Sequence, residues 1–132
     1  FDTHVAILKL FPGITESVVS AILDISDLRG VVLETFGSGN APTHAWLYEH
    51  LRNAVERGVV IVNKTQCNTG SVAMGQYAVS LPLLKAGVIS GYDITTEALL
   101  TKMMYLFGEN PNNNDLVKEL LQTPLCGELT NV

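Results

Sequence analysis

The sequence predicts an α/β domain of a small Rossmann-like or flavodoxin-like kind. It is a three-layer arrangement with a four-stranded parallel sheet flanked by helices. Three observations predict it. Short apolar runs alternate with segments of helical period in a β-α-β-α-β-α-β-α order, which favours parallel strands joined by right-handed crossovers. The run at 59–62, Val-Val-Ile-Val, shows no polar alternation, as befits a strand covered on both faces. Apolar residues make up 47% of the chain and charged ones only 16%, which suits a sheet buried on both sides better than a solvated bundle.

Val5, Ala6, Ile7 and Leu8 read as the first strand. Pro12-Gly13 turns the chain. Thr15 is placed to cap a helix over 15–25, with Glu16 at its positive end and Val18, Val19, Ile22 and Leu23 buried. A second strand over 30–36 runs into the turn Gly37-Ser38-Gly39-Asn40. Such a turn serves either as a ligand loop or as a strand-to-helix connection that needs a positive φ. Thr43 is the N-cap candidate for a helix over 43–57, with Leu47, Leu51, Ala54 and Val55 on one face and Gly58 at its end.

After the third strand comes the polar loop 65–70. Tyr77, Leu81 and Leu84 then recur at helical spacing, with Pro82 as a local disturbance and Gly87 as the stop. Residues 88–90 form a short fourth strand. Asp93 or Thr95 opens the next helix, whose stripe is Leu99, Met103 and Leu106 and whose stop is Gly108. The loop 110–115 is rich in cap formers, and a last helix holds Leu116, Val117, Leu120 and Leu121.

The 132 residues make one domain with no internal repeat and no second-domain boundary. The start, Phe1-Asp2-Thr3-His4 running at once into a strand, fits a domain excised from a longer polypeptide at least as well as a trimmed independent protein. A net charge of −5 argues against a nucleic-acid partner. No apolar run approaches the roughly 18 residues that span a bilayer, so no membrane insertion is expected, and no signal-peptide pattern is present. Two cysteines, Cys67 and Cys126, in a chain that needs no staple suggest a reduced, cytoplasmic setting.

Catalytic signatures are missing: no Gly-x-Ser-x-Gly elbow, no P-loop lysine pattern, no His-Glu-x-x-His. His4, His44 and His50 fall in three contexts and read as surface residues, not as a metal site. Trp46, Met103 and Met104 read as packing. Cys67 follows a strand, where nucleophiles occur, but has no nearby histidine in sequence to activate it. In a parallel sheet all post-strand loops emerge at the carboxyl edge. The loops 37–43, 65–71 and 90–96 therefore bring Ser38, Asn40, Thr65, Gln66, Cys67, Asp93 and Thr95 to one rim. That rim suits a small polar ligand and holds no nucleophile–base pair, so the residues alone favour binding over catalysis, with no cofactor.

The segments GVVLETFGSGNAP (30–42), RGVVIVNKTQCNTGSV (57–72), the Tyr77 region and AGVISGYDITTEALLTKMMYLFG (86–108) carry a resemblance that covers nearly the whole chain. The chain resembles the C-terminal domain of the cytosolic, type I L-asparaginases, and looks nearest to the vertebrate-type members described as 60 kDa lysophospholipase/L-asparaginase. The resemblance implies hydrolysis of L-asparagine to L-aspartate and ammonia. It also implies that the catalytic threonines, lysine and aspartate belong to an N-terminal domain absent from this chain. None of the family's Thr-Gly-Gly-Thr or Thr-Asp-Thr/Lys machinery is present, and no catalytic residue is assigned here.

The implied partners are that N-terminal domain and another copy of the protein, whose active site this domain completes. By motif, Asn40 and Tyr77 are the substrate-binding residues across the subunit interface. Thr65 and Cys67 match the lining of an allosteric asparagine site found in some bacterial members. Glu34 stands where those enzymes carry an arginine. An arginine clamps a carboxylate in bidentate fashion whereas a glutamate repels it, which weighs against an asparagine effector. A free-standing ligand-binding module is the alternative. Nothing supports a lysophospholipase activity, for want of a serine elbow or triad.

Overall fold

A computed structural model of the chain describes residues 1–35, 44–65 and 79–129. Along the chain run β1 (Val5–Lys9), α1 (Glu16–Leu23), β2 (Gly30–Thr35), α2 (Ala45–Glu56) and β3 (Val60–Thr65). There follow α3 (Leu81–Ala86), β4 (Ile89–Ser90), α4 (Thr96–Glu109) and α5 (Asn114–Leu121). The sheet is parallel throughout, in the order β1-β2-β3-β4. The α/β class, the four parallel strands and the flanking helices are as the sequence predicts.

The topology explains the layers. Each strand sits beside its predecessor, always stepping the same way. Right-handed crossovers then put every connecting helix on one side of the sheet. On that side α1, α2 and α3 supply Val19, Leu23, Leu47, Leu51, Ala54, Leu83 and Ala86, which pack on Leu8, Val31, Leu33 and Ile61. The other face would stay bare without the last two helices. There α4 and α5 lay Leu99, Met103, Leu106, Phe107, Val117 and Leu121 over Val32, Val60 and Val62. The apolar runs of β2 and β3 therefore need no alternation: both faces are covered.

The caps follow the sequence. Thr15 accepts from the Val18 amide (3.4 Å), Thr95 from Ala98 (3.2 Å) and Asn113 from Leu116 (3.1 Å). Of the two candidates for opening α4, Thr95 is the cap; Asp93 lies in the turn before it.

Several local expectations change. Val18 is exposed, because α1 turns Val19 and Leu23 to the core. The N-cap position of α2 is His44, with Thr43 outside the described residues. α3 starts at Leu81, so Pro82 lies in its first turn, where its missing amide costs no helical bond, instead of disturbing a longer helix. Leu81 and Leu84 point outward and Leu83 inward. β3 continues past Val62 through Asn63 and Lys64, so Thr65 ends the strand instead of opening a loop. Gly108 does not stop α4: the helix runs through it to Glu109. A Cβ at that position would lie 3.3 Å from the Phe1 backbone, so the glycine lets the N-terminal segment cross the helix closely.

Candidate ligand-binding edge

β2, β3 and β4 end together. Thr35 faces Thr65 across the ladder, and Asn63 faces Ser90. Two small polar systems sit at this edge, one on each face of the sheet.

On the α4 face, Lys9, Glu34 and Lys64 occupy one register row across three strands. Opposite charges side by side on neighbouring strands stabilise one another. Glu34 is half-buried, and its Oε1 accepts a hydrogen bond from Thr96 Oγ1 at 2.8 Å. Thr96 is the first residue of α4, so the carboxylate lies at that helix's positive end. The fold thus places a carboxylate of its own at the position where the resemblance implies an arginine for an incoming one.

On the opposite face, Thr35 Oγ1 donates to Asn63 Oδ1 at 3.0 Å, both side chains being buried. The Asn63 carbonyl accepts from the Gly91 amide at 2.8 Å. The turn beyond β4 is shaped by Ser90, whose Oγ accepts from the Tyr92 amide at 3.1 Å, and by Tyr92 itself, with φ 55°.

Of the residues expected at the site, Glu34 lies on β2 and Thr95 caps α4 just beyond β4. Asp93 is exposed in the turn. Thr65 terminates β3, and its side chain is outside the described residues, as are Ser38, Asn40, Gln66, Cys67 and Tyr77. His4 stands apart, whereas His44 and His50 both lie against Trp46. His4 Nδ1 lies 2.6 Å from Asp2 Oδ1, His50 Nε2 lies 2.9 Å from Glu16 Oε2, and His44 stacks on Trp46 with ring centroids 5.3 Å apart. Among the described residues no three histidine, cysteine or carboxylate side chains gather in a way that would hold a metal ion. No described helix is long and apolar enough to cross a membrane.

The sequence reading missed two charged networks. Arg29 lies at the amino edge of the sheet, over the Phe107 ring at 4.5 Å, and donates to Asp2, to the Phe107 and Pro111 carbonyls and to Asn114 Oδ1. Nothing local in the sequence announces it, since its partners lie up to 85 residues away. Lys102 is different. It falls at helical spacing between Leu99 and Leu106, and a lysine on a buried stripe signals a hidden partner. That partner is Glu128, 2.7 Å away; Lys102 also donates to the Leu121 and Thr123 carbonyls. Burial pushes the Glu128 carboxyl up, but the Cys126 amide and the Lys102 ammonium outweigh it and hold the group at about 2.

Fold and edge together define an α/β domain that presents three strand ends and two polar systems without a nucleophile–base pair among the described residues. The family model of the glutaminase/asparaginase C-terminal domain matches residues 4–121, and the chain belongs to that family. Over 129 residues it is 49% identical to the human 60 kDa lysophospholipase, covering 98% of this chain and 22% of that protein. It is 40% identical over 126 residues to L-asparaginase 1 of Escherichia coli strain K12, covering 96% of this chain and 37% of that enzyme. The crystal structure of L-asparaginase I from Vibrio cholerae superposes with a TM-score of 0.86 at 43% identity, covering 97% of this chain and 38% of that one. The chain therefore spans between 22% and 38% of the length of these relatives.

Proposed function

We propose that this chain is the C-terminal domain of a cytoplasmic L-asparaginase, which turns L-asparagine and water into L-aspartate and ammonia. The observation that carries the proposal is the family match over residues 4–121, beside 40% identity to an enzyme named L-asparaginase 1. In this reading the nucleophile and its base belong to an N-terminal asparaginase domain. The present domain mediates dimerisation and completes the partner subunit's active site, with Asn40 and Tyr77 reaching the substrate, and it is inactive alone.

The shape of the sheet supports a shared site. Open α/β sheets bind ligands where the strand order reverses and adjacent connections diverge. The described strands here never reverse, so the edge lacks such a crevice among the described residues and needs a second surface to enclose a small amino acid. The effector lining, Glu34, Thr65 and Cys67, does not take a free carboxylate in this reading, because Glu34 already lies against Thr96.

Ammonia release from L-asparagine tests the proposal. The isolated chain should release none, and the polypeptide that joins it to an N-terminal asparaginase domain should turn over. Substantial turnover by the isolated chain would refute the division of labour. The polar rim also favours a second reading, a small-ligand module without catalysis. Calorimetric titration of the isolated chain with asparagine and aspartate separates the two: binding near micromolar would favour the module, and silence the asparaginase domain.

A further inference from the structure

We propose that Asn63 is a positioning residue that fixes where the segments leaving β2, β3 and β4 begin, and thereby how this edge meets substrate. The proposal deepens the asparaginase reading and rests on it.

The case starts from an anomaly of composition. On the face of β2 and β3 that meets α1 and α2, Val31, Leu33 and Ile61 are apolar and buried. Only at the carboxyl edge does that face turn polar, with Thr35 fully buried and Asn63 5% exposed. A buried hydroxyl and amide are disfavoured unless bonded, and two apolar residues would serve packing alone as well or better. What the polar pair adds is direction. Asn63 faces Leu33 in register and Thr35 faces Thr65, so the bond from Thr35 Oγ1 to Asn63 Oδ1 runs diagonally and locks one strand end against the other.

The same residue holds the third strand. Its carbonyl accepts from the Gly91 amide at 2.8 Å, one residue past β4. The approach is close: a Cβ at position 91 would lie 3.1 Å from the Asn63 oxygen and 3.1 Å from Val62 Cγ1. Side chain and main chain of one asparagine thus tie together the ends of three strands. Thr35 stands five residues before Asn40, and Asn63 four before Cys67. This node therefore lies just before both segments.

The test uses the full-length protein with L-asparagine. Thr35→Val keeps the volume and removes the hydroxyl; Thr35→Ser keeps the hydroxyl and removes a methyl. We expect Thr35→Val to raise KM about tenfold with a smaller change in kcat, and Thr35→Ser to stay near wild type. A purely packing role predicts the opposite pattern, with a lowered melting temperature in both variants and KM unchanged, and would overturn the proposal. Amide hydrogen exchange is the second readout: Thr35→Val should speed exchange at Gly91 about tenfold, and unchanged exchange there would overturn it as well. If the wild-type protein releases no ammonia from asparagine, the asparaginase reading fails, and the exchange experiment still decides the role of Asn63.

Discussion

The two edges of the sheet are fastened by different chemistry. At the amino edge, Arg29 uses one guanidinium to join the N-terminal segment, the end of α4 and the start of α5, all through charge-assisted bonds. A broad depression of about 610 Å³ opens there, lined by Asp2, His4, Arg29, Arg57 and Asn114 among others. Its central arginine is already engaged by four acceptors. At the carboxyl edge the side-chain bonds are of another kind: a neutral Thr–Asn pair on one face and a threonine on a carboxylate on the other. A strong charged hub suits a frame that never changes. A pair of directed bonds suits an edge whose geometry matters more than its strength.

The largest expected effect breaks the frame. Arg29→Ala removes four hydrogen bonds and a ring contact and takes the guanidinium from Asp2, which costs about 2–3 kcal/mol for part-buried charge-assisted bonds. Urea unfolding should show the loss, whereas KM of the fraction that stays folded should hold. A rise in KM would mean that the two edges are coupled and that the comparison is wrong.

Acid should loosen the frame next. The Asp2 carboxyl is held at about 2, first by the His4 amide and then by its imidazole, with burial opposing and Arg29 assisting. Glu128 is held equally low. Both folded values lie below the ordinary carboxylate range. The unfolded chain therefore binds more protons in acid, and the stability these groups give is full above about pH 4.5 and lost as pH falls toward 2. Urea midpoints should fall between pH 6 and pH 3, and Asp2→Asn should flatten that fall. The Thr35–Asn63 bond has no titrating member, so that bond should not share the dependence.

A smaller effect belongs to the α4 face of the carboxyl edge. Thr96→Val removes the donor to Glu34 and should cost about 1 kcal/mol, since the carboxylate is half-buried and keeps other company. Thermal unfolding would detect it, and a loss several times larger would make this edge a frame like the other.

Much of this contrast was legible before the structure, but unevenly. The run Val60–Val62 and the caps Thr15 and Thr95 follow from local pattern, because apolar period and capping chemistry act over a few residues. Arg29 was not legible, since its acceptors are main-chain carbonyls and side chains brought near only by the fold. Lys102 was, had its place on the stripe of Leu99, Met103 and Leu106 been weighed as an exception. Gly108 misled for a physical reason: glycine marks helix ends, yet here it serves a close crossing by Phe1. The substrate and effector roles of Asn40, Tyr77 and Cys67 enter through the resemblance alone, which is why they stand as proposals.

The sharpest functional reading comes from the charge row itself. Glu34→Arg exchanges the central anion of the Lys9, Glu34, Lys64 row for a third cation. It also removes the acceptor for Thr96 and leaves a guanidinium at the positive end of α4. The side chain is half-buried and can turn toward water, so the fold should survive, with a loss of about 2 kcal/mol from the lost bond, the third cation and the helix end together. What changes is the demand for an anion: three cations beside a helix N-terminus favour a bound carboxylate, which the glutamate now supplies internally. In the full-length protein, velocity against asparagine should turn from hyperbolic to sigmoidal, and aspartate should shift the curve. A response that stays hyperbolic in a folded variant would show that the internal carboxylate is not what silences this face, and the two systems of the carboxyl edge would then differ in strength alone.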